Sequence, residues 1–428
     1  MTKSIEKPAS GWVPIAIIGV LFFIFGFVTW LNATLIPYLR IACELTSFES
    51  YLVTFAFYIS YFVMALPSSA LLRRTGFLKG MALGLLTMAV GALVFIPAAL
   101  TRTYGLFLTG LFIQGTGLAV LQTASNPYVT ILGPIESAAR RISIMGIANK
   151  FAGILSPMIL GAVVLTGIDE LVESIKLMDP AARAAELDLL AHRVIMPYVI
   201  MAVVLVLLAL LVRISPLPEV EEEQDDPSGT NLSDRGSIWR YPYLLLGVLA
   251  IFLYVGAEVI AVDTLIGYGH FLGFEFSEAR WFASFTLIAM IIGYGVGIVA
   301  IPRIISQSRA LAVFSSLGIL FTIIAVFSKG YTSILMIASL GFANSIMWPA
   351  IWPLAIDGLG KYLKTGSAML IMGIAGGALL PLAYGALSDI PAVGAQEAYW
   401  ILVPCYLYIM FFAVKGNNIG KGMSEQLN

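Results

Sequence analysis

The sequence predicts an all-α membrane protein with twelve transmembrane helices, arranged as two six-helix bundles related by an internal repeat. Three observations lead to this prediction. Of the 428 residues, 59% are hydrophobic and 11% are charged, whereas soluble globular domains carry roughly 25% charged residues. Apolar runs long enough to cross a bilayer core of about 30 Å recur along the chain. Finally, short motifs of the first half return in the second half.

Twelve apolar stretches, separated by short charged breaks, define the predicted spans. In chain order they cover residues 13–38, 50–72, 78–99, 103–131, 142–166, 196–214, 242–270, 279–302, 309–328, 332–357, 365–388 and 397–415. The first stretch is too long for the apolar core of a secretory signal. We therefore expect it to be the first span of the mature protein.

The distribution of Lys and Arg predicts the orientation, because cytoplasmic loops retain positive charge. With the N-terminus inside, inner segments carry sixteen basic residues and outer segments carry seven. Both termini are therefore predicted to be cytoplasmic, in a plasma (inner) membrane. One basic residue, Lys150, falls within a span. Below, "inner face" and "outer face" refer to these predicted sides.

An acidic, proline-bearing stretch that begins "SPLPEVEEEQDDPSG" at Ser215 divides the chain after six spans. A charge run of this kind is typical of a solvated tether. We predict an N-terminal bundle over 1–214, a cytoplasmic linker over 215–241 and a C-terminal bundle over 242–428. Between spans five and six, Leu171, Val172 and Ile175 share a helical face, which predicts an interfacial helix at the outer face.

The internal repeat is visible in three pairs of segments. "IMGIA" occurs at 144–148 and at 371–375, "ATLIPY" at 33–38 matches "DTLIGY" at 263–268, and "QTASNPYV" from Gln122 aligns with "NSIMWPAI" from Asn344. Spans one, two, four and five thus map in order onto spans seven, eight, ten and eleven. Such a parallel repeat is typical of transporters whose substrate site lies near the membrane midplane, between the halves.

Polar side chains within spans are costly unless they face a cavity or a partner. The candidate substrate-binding residues are amides and indoles at matched places in the two halves: Asn32, Gln114, Gln122, Asn126, Asn149, Asn344, Trp348 and Trp352. The three amides of span four are expected on one face. Amides donate to and accept from hydroxyl groups, and an indole covers the C–H side of a sugar ring, so the set suits a neutral hydroxylated ligand. The alternative is hydrogen bonding between helices, with tryptophans that pack against lipid or core.

Three charged residues within spans are candidates for cation coupling: Glu258 and Asp263 in span seven, and Lys150 in span five. The two acids point about 140° apart on a regular helix, so both need not face one cavity. A buried carboxylate loses its burial penalty when it binds a proton or a cation such as Na⁺. In this hypothesis Lys150 pairs with one acid when the site is empty, and the arriving cation displaces it, which links ion binding to sugar binding. The alternative is a purely structural ion pair.

Four longer motifs carry a family resemblance: "LNATLIPYL", "AFYISYF", "LQTASNPYVTILGP" and "SIMWPAIWPLAIDGLGK". They resemble the fucose permease branch of the major facilitator superfamily, and the last two resemble its glucose/galactose transporter subgroup. The resemblance implies a sugar/cation symporter that works by alternating access. The proton-coupled fucose permeases carry acids where this chain has Ala33 and Gln122. We therefore expect the coupling role in span seven. The loss of those two acids, together with the sodium use of similar glucose/galactose transporters that the resemblance implies, favours Na⁺ over H⁺.

The sequence thus predicts a secondary transporter that imports a neutral hexose of the glucose/galactose type, with a coupling ion and no other cofactor. Alternatives are an uncoupled facilitator, in which Lys150 permanently neutralises one span-seven acid, a proton-coupled importer of an N-acetylated hexose, a sugar receptor and a drug exporter. An enzyme is not expected, because His192 and His270 have no nucleophile or metal constellation around them. We expect a monomer in the lipid bilayer that binds no nucleic acid.

Overall fold

The structure, a computed structural model, describes residues 12–131, 138–215, 241–301, 304–359 and 363–420. Within these ranges the side chains of 12–15, 69, 73, 126–131, 138–144 and 363–365 are not described. The predicted linker lies outside the described residues except for its two end positions. The boundaries of the two predicted domains therefore stay a prediction.

All regular elements in the described ranges are helical. The first half contains α1 (Trp12–Trp30), α2 (Asn32–Ala42), α3 (Ser47–Ser50), α4 (Leu52–Thr75), α5 (Phe77–Leu100), α6 (Tyr104–Ile131), α7 (Ala138–Val164), α8 (Ile168–Ser174), α9 (Pro180–His192) and α10 (Ile195–Ile214). The second half contains α11 (Pro242–Asp263), α12 (Leu265–Phe271), α13 (Phe276–Ala279), α14 (Phe282–Ala300), α15 (Gln307–Phe327), α16 (Gly330–Asn344), α17 (Met347–Ile356), α18 (Leu363–Met372), α19 (Gly376–Ser388), α20 (Gly394–Glu397) and α21 (Leu402–Val414). Short 3₁₀ turns cover Gly373–Ala375, Ala398–Ile401 and Gly416–Asn418.

These helices confirm the predicted membrane architecture. In the described part of the chain, 11 stretches are long and apolar enough to cross a bilayer, and Leu52–Ser68 within α4 is a shorter twelfth. The outer segment between spans five and six forms two helices, α8 and α9, rather than the single predicted helix. The second begins at Pro180 because the Asp179 carboxylate accepts hydrogen bonds from the amides of Ala181 and Ala182 at 3.0 and 3.1 Å, an N-cap arrangement.

Four spans are interrupted within the membrane: span one at Leu31, span seven at Thr264, span ten at Ser345 and Ile346, and span eleven at the turn Gly373–Ala375. Proline accounts for the break in span ten. Pro349 has no amide hydrogen, and its ring prevents a helical bond to the carbonyl four residues earlier, that of Ser345. Irregular backbone is tolerated in a membrane only where protein covers it or where it lines a cavity. The breaks thus mark positions close to the centre of the protein.

Two carboxylates join the halves at the outer face. Asp389, after α19, accepts the amide hydrogens of Ser47 and Phe48 at the start of α3, at 2.9 and 2.6 Å. Asp169 in α8 accepts the amide hydrogen of Phe276 at the start of α13, at 3.1 and 3.0 Å. Ser47 and Phe276 occupy matching places in the repeat. Each half therefore caps a short helix of the other.

Further contacts between the halves lie closer to the middle of the membrane than these two caps. The ring of Tyr51 packs edge-on against Tyr384 with a centroid distance of 5.6 Å, and the Ser284 hydroxyl donates to the Ile154 carbonyl at 2.9 Å. Within the described ranges, the hydrogen bonds that link the halves lie between the outer face and the middle of the membrane. The two halves are thus held together at the outer face, where a cavity of about 500 Å³ remains around residues such as Arg40.

Candidate functional site

An ion pair crosses between the halves inside the membrane. The Nζ atom of Lys150 in α7 lies 2.8 Å from Oε1 of Glu258 in α11, and each side chain is 10% exposed. Removing two charges from water is expensive, and the mutual attraction repays that cost only when the geometry is good. Of the two acids that the sequence offered as partners for Lys150, the structure pairs it with Glu258.

A tryptophan completes the surroundings of the lysine. The ammonium of Lys150 lies 4.5 Å from the ring centroid of Trp30, within the range of a cation–π interaction. Trp30 is the last residue of α1 and is 3% exposed. Trp30 was not among the candidate residues predicted from the sequence. It lies two residues before Asn32 and directly precedes the family-like motif "LNATLIPYL". Lys150 therefore has an anionic partner on one side and an aromatic face on another.

Asp263 is not a member of this ion pair. It is the last residue of α11, is 0% exposed, and neither of its carboxylate oxygens has a hydrogen-bond partner among the described residues. Tyr51 and Tyr58 are close enough for their phenol groups to interact electrostatically with it. A charged carboxylate without a partner is unfavourable at such a place, so this group favours a bound proton or cation. The two span-seven acids thus have different partners, as their predicted divergence allows, although Asp263 and Glu258 interact electrostatically and Tyr58 lies near both.

The amides of spans one, four and five differ in their partners. Gln122 donates to the Tyr61 hydroxyl at 3.1 Å, and Asn149 donates to the Phe22 carbonyl at 3.3 Å. Both amide side chains are half-buried. Asn32 is fully buried at the start of α2, and neither its oxygen nor its nitrogen has a protein partner in the described part of the chain. A buried unpaired amide is costly, so Asn32 is the amide here that most clearly requires a ligand.

Gln114 lies elsewhere. A Cβ atom added to Gly91 of α5 would come within 2.7 Å of Gln114 Cγ, so this side chain is packed in the contact between α5 and α6. The expectation of one face for all three span-four amides is wrong for Gln114, because eight residues advance a helix by about 80° beyond two full turns. Asn126 belongs to α6, but its side chain lies outside the described residues. A substrate-binding role for either residue stays a prediction.

The polar residues of span ten lie on both sides of its break. Asn344 ends α16 and accepts a hydrogen bond from the Tyr406 hydroxyl at 3.0 Å. Beyond the break, the half-buried rings of Trp348 and Trp352 stack with a centroid distance of 5.3 Å and an angle of 27°. Asn344 and the two tryptophans are therefore separated by the break at Ser345 and Ile346, because Pro349 ends the regular hydrogen bonding there.

Tyr254, which the sequence analysis missed, connects the tryptophans with the ion pair. Its ring lies 6.5 Å from that of Trp348, and it interacts with Glu258 one turn further along α11. Residues four apart share a helix face, so this spacing was a sequence signal that could have identified it. The stacked rings of Trp348 and Trp352, called the aromatic platform below, are thus connected through Tyr254 to the ion pair that joins the halves.

Comparison with known proteins gives the family. A family model described as Major Facilitator Superfamily matches residues 18–383. A glucose/galactose transporter from Brucella abortus is 36% identical over 403 residues, which cover 93% of this chain and 92% of that protein. An L-fucose-proton symporter from Escherichia coli is 30% identical over 420 residues, which cover 96% of this chain and 95% of that protein.

Solved structures agree with the sequence matches. The crystal structure of FucP, a Major Facilitator Superfamily transporter in the outward conformation, matches with a TM-score of 0.70 at 30% identity, over 94% of this chain and 98% of that one. A D-xylose-proton symporter also reaches 0.70, at 13% identity, and covers 95% of this chain and 98% of its own. At that identity the second match shows a common fold alone. The predicted fold class is confirmed.

Proposed function

Since the chain belongs to the major facilitator superfamily, we propose that it imports a neutral hexose by alternating access, coupled to a cation. The observation that carries this proposal is the 2.8 Å ion pair between Lys150 and Glu258, which joins the two halves beside an aromatic platform. The names of the relatives support a sugar substrate, because one is a glucose/galactose transporter and another is an L-fucose-proton symporter. We propose the glucose/galactose type.

The platform of Trp348 and Trp352 suits the C–H face of a sugar ring, and the amides of Gln122 and Asn149 suit its hydroxyl groups. Asn32, with both amide groups unpaired, adds a further donor and acceptor. These residues come from spans one, four, five and ten. A sugar bound among them touches both halves, so its binding depends on how the halves are arranged.

Coupling follows from the ion pair. Neutralising Glu258 frees the Lys150 ammonium, which then donates to a sugar hydroxyl, as does the neighbouring Asn149 amide. Breaking one side of a buried pair costs about 3–5 kcal/mol, so an unpaired Lys150 favours a new partner such as the sugar. By linkage, each ligand then promotes binding of the other.

A proton at Glu258 is our first candidate for the coupling ion. Among the described residues Glu258 is ion-paired with Lys150 and lies near the phenol groups of Tyr254, Tyr294 and Tyr406. A proton on Glu258 would therefore have to break this ion pair, which is the event that the proposed coupling requires. A proton neutralises a carboxylate without a cage of further oxygen ligands. The name of the Escherichia coli relative, an L-fucose-proton symporter, also supports the proton.

Sodium, which the sequence analysis favoured, is the second candidate, at Asp263. Neither oxygen of Asp263 has a hydrogen-bond partner in the part of the chain that the structure describes, and the helix breaks at the next residue, Thr264. Hard cations take oxygen ligands, and a break in a membrane helix exposes backbone carbonyls that can serve as such.

Uptake into proteoliposomes tests the proposal. Labelled glucose, galactose, mannose and N-acetylglucosamine are offered under an inward proton gradient, an inward sodium gradient or no gradient. We expect glucose or galactose to accumulate above equilibrium with the proton gradient. Accumulation with sodium alone would favour the second candidate, and equilibration without accumulation would favour the uncoupled facilitator. If none of the sugars entered, hexose transport itself would be refuted.

We also propose that the protein lies in the plasma (inner) membrane as a monomer, with both termini cytoplasmic. The excess of Lys and Arg in the segments assigned to the inner face supports the orientation. Protease protection of tags at the two ends, in intact cells and in inverted vesicles, measures it. Digestion of either tag in intact cells would contradict the assignment.

A further inference from the structure

We propose that Trp30 is a positioning residue of the coupling site, whose indole face holds the Lys150 ammonium while Glu258 is neutralised. This inference rests on the proposed function and deepens it. It begins from the 4.5 Å distance between Lys150 Nζ and the Trp30 ring centroid. Because Trp30 is 3% exposed, water competes little for the ammonium, and cation–π attraction is stronger at desolvated sites.

The packing of α1 against α7 places the ring. A Cβ atom added to Gly26 would lie 1.8 Å from the Asn149 carbonyl oxygen, and one added to Gly153 would lie 2.3 Å from Trp30 Cδ1. The backbones of the two helices thus touch at Gly26, and one turn further along α1 the indole lies on Gly153. Lys150 stands between these two contacts on α7. Its ammonium is therefore brought to the indole by the helix crossing itself.

Within the described ranges, no hydrogen bond fixes the orientation of the ring. The indole Nε1 is buried and has no hydrogen-bond partner among the described residues. A ring fixed by a polar contact would normally use that group, since buried indole N–H groups usually find a partner. Here packing on Gly153 sets the ring, and the result is an aromatic face turned toward the lysine.

Trp30 matters most after Glu258 has been neutralised. While Glu258 is charged, its Oε1 atom lies 2.8 Å from the Lys150 ammonium, which therefore contacts both the carboxylate and the ring. Once the carboxylate is neutral, the ring is the counter-group that remains beside Lys150 within the described ranges. A lone buried ammonium is unfavourable, so the ring lowers the free energy of the released state. Trp30 thereby raises the affinity of Glu258 for the coupling ion.

The second half provides a comparison within the molecule. The repeat matches Trp30 with Ile260, Lys150 with Gly377 and Glu258 with Val28. The symmetry-related site, formed by Ile260 and Gly377 of the second half and Val28 of the first, therefore lacks the tryptophan, the lysine and the acid together. If the indole served only to pack two helices, an indole at the matching crossing would be equally suitable, yet a branched aliphatic side chain stands there.

The test compares Trp30→Leu and Trp30→Phe with wild type in proteoliposomes. Two quantities are measured: sugar counterflow, which needs no ion gradient, and the half-saturating concentration of the coupling ion for uptake. For Trp30→Leu we expect about a tenfold higher half-saturating ion concentration, which for protons lowers the pH midpoint by about one unit. Counterflow should stay within about twofold of wild type, and Trp30→Phe, which retains an aromatic face, should give a smaller shift.

A matched control is Trp281→Leu. Trp281 also lies near a cation, with Arg280 at 5.8 Å from its ring, but it is 39% exposed at the start of α14. This variant should leave both quantities unchanged. An unshifted ion dependence in Trp30→Leu, with counterflow retained, would overturn the inference, as would a shift in Trp30→Phe as large as in Trp30→Leu or equal loss of counterflow in both variants. A wild type without any ion dependence would instead refute the coupling proposal, and the role of Trp30 with it.

Discussion

The two copies of "IMGIA" lie at equivalent helix crossings. In the first half Asn149, the residue after the motif, contacts span one: it donates to the Phe22 carbonyl at 3.3 Å. In the second half Gly376 holds the matching place, and a Cβ atom there would lie 1.7 Å from the Phe252 carbonyl oxygen. Phe22 and Phe252 themselves match in the repeat. The duplicated motif therefore builds the same contact twice, close to the first span of each bundle.

The next residue separates the copies. Lys150 forms the ion pair with Glu258, whereas a Cβ atom on Gly377 would lie 3.1 Å from the ring of Tyr58 and 3.1 Å from Val259 Cγ2. In one copy the position carries a charge across the interface, and in the other it allows close apolar packing across the interface. The internal repeat accounts for the two equivalent crossings, and divergence at this one position distinguishes the ion-paired copy from the closely packed copy.

The largest expected effect comes from unbalancing the ion pair. Lys150→Met leaves Glu258 without its cation, so we expect gradient-driven uptake to fall about 100-fold or more. The double variant with Glu258→Gln leaves no unpaired charge at the position of the ion pair and should recover the folded yield, but not accumulation of sugar. Uptake and size-exclusion profiles measure the two effects. Glu278→Gln, at an exposed acid, is the control, and wild-type accumulation by Lys150→Met would exclude the coupling role.

The helix crossing that occurs in both halves should be disturbed by a substitution in either half. Gly26→Ala and Gly376→Ala each place a methyl group within 1.8 and 1.7 Å of a carbonyl oxygen, and such overpacking costs about 1–3 kcal/mol. We expect a lower midpoint in thermal unfolding for both variants. Gly146→Ala is the matched control, since its Cβ would meet nothing within 4 Å. If Gly26→Ala and Gly376→Ala were as stable as Gly146→Ala, the helices would not approach each other as closely as these distances indicate.

A smaller effect is expected where the halves cap each other. Asp389 uses both oxygens to accept two amide hydrogens, whereas Asn offers one acceptor oxygen, so Asp389→Asn should weaken closure at the outer face. One lost cap contact is worth about 0.5–2 kcal/mol. We expect a cysteine placed at Ser388 to react several-fold faster with an impermeant thiol reagent.

Asp169→Asn should act in the same direction but more weakly, because Asp169 accepts a single amide hydrogen. Glu49→Gln is the matched control for both caps. Glu49 bonds within its own helix end, to the amide and hydroxyl of Thr46 at 2.8 and 3.0 Å, and not across the halves. Equal labelling rates in Asp389→Asn and Glu49→Gln would show that the caps do not hold the halves closed.

The smallest effect is expected at the glycine that replaces the lysine. In Gly377→Ala the new methyl group meets side-chain atoms at 3.1 Å rather than backbone, and these can shift by a few tenths of an ångström. We expect a change in the free energy of unfolding below about 1 kcal/mol. A loss as large as that of Gly376→Ala would mean that the packing against Tyr58 is as strict as the helix crossing.

Much of this account could be predicted from the sequence. Span positions follow from the length of apolar runs, and the repeat predicted which spans correspond. Lys150 and the span-seven acids stood out because charge is rare in a membrane. The choice of Glu258 over Asp263 could not be predicted, because it depends on the rotation of α11 relative to α7.

Other features needed the packing of the whole chain. Trp30 has no unusual polarity for a span. Its position beside Lys150 depends on packing against Gly153, which lies on another helix. Gln114 appeared to share the Gln122 face because the count of eight residues approximates two turns, but the residual rotation turns it to α5. The caps by Asp169 and Asp389 join loops far apart in sequence, so no local pattern indicated them.

The most direct test of the central claim is proton movement driven by hexose. Vesicles that contain wild-type protein and a pH-sensitive dye receive an outside pulse of the transported hexose without any imposed gradient. We predict that the wild type carries protons inward with the sugar, and that Glu258→Gln carries the sugar without protons. Proton movement at the wild-type rate in Glu258→Gln would contradict the assignment of Glu258 as the group that couples the two.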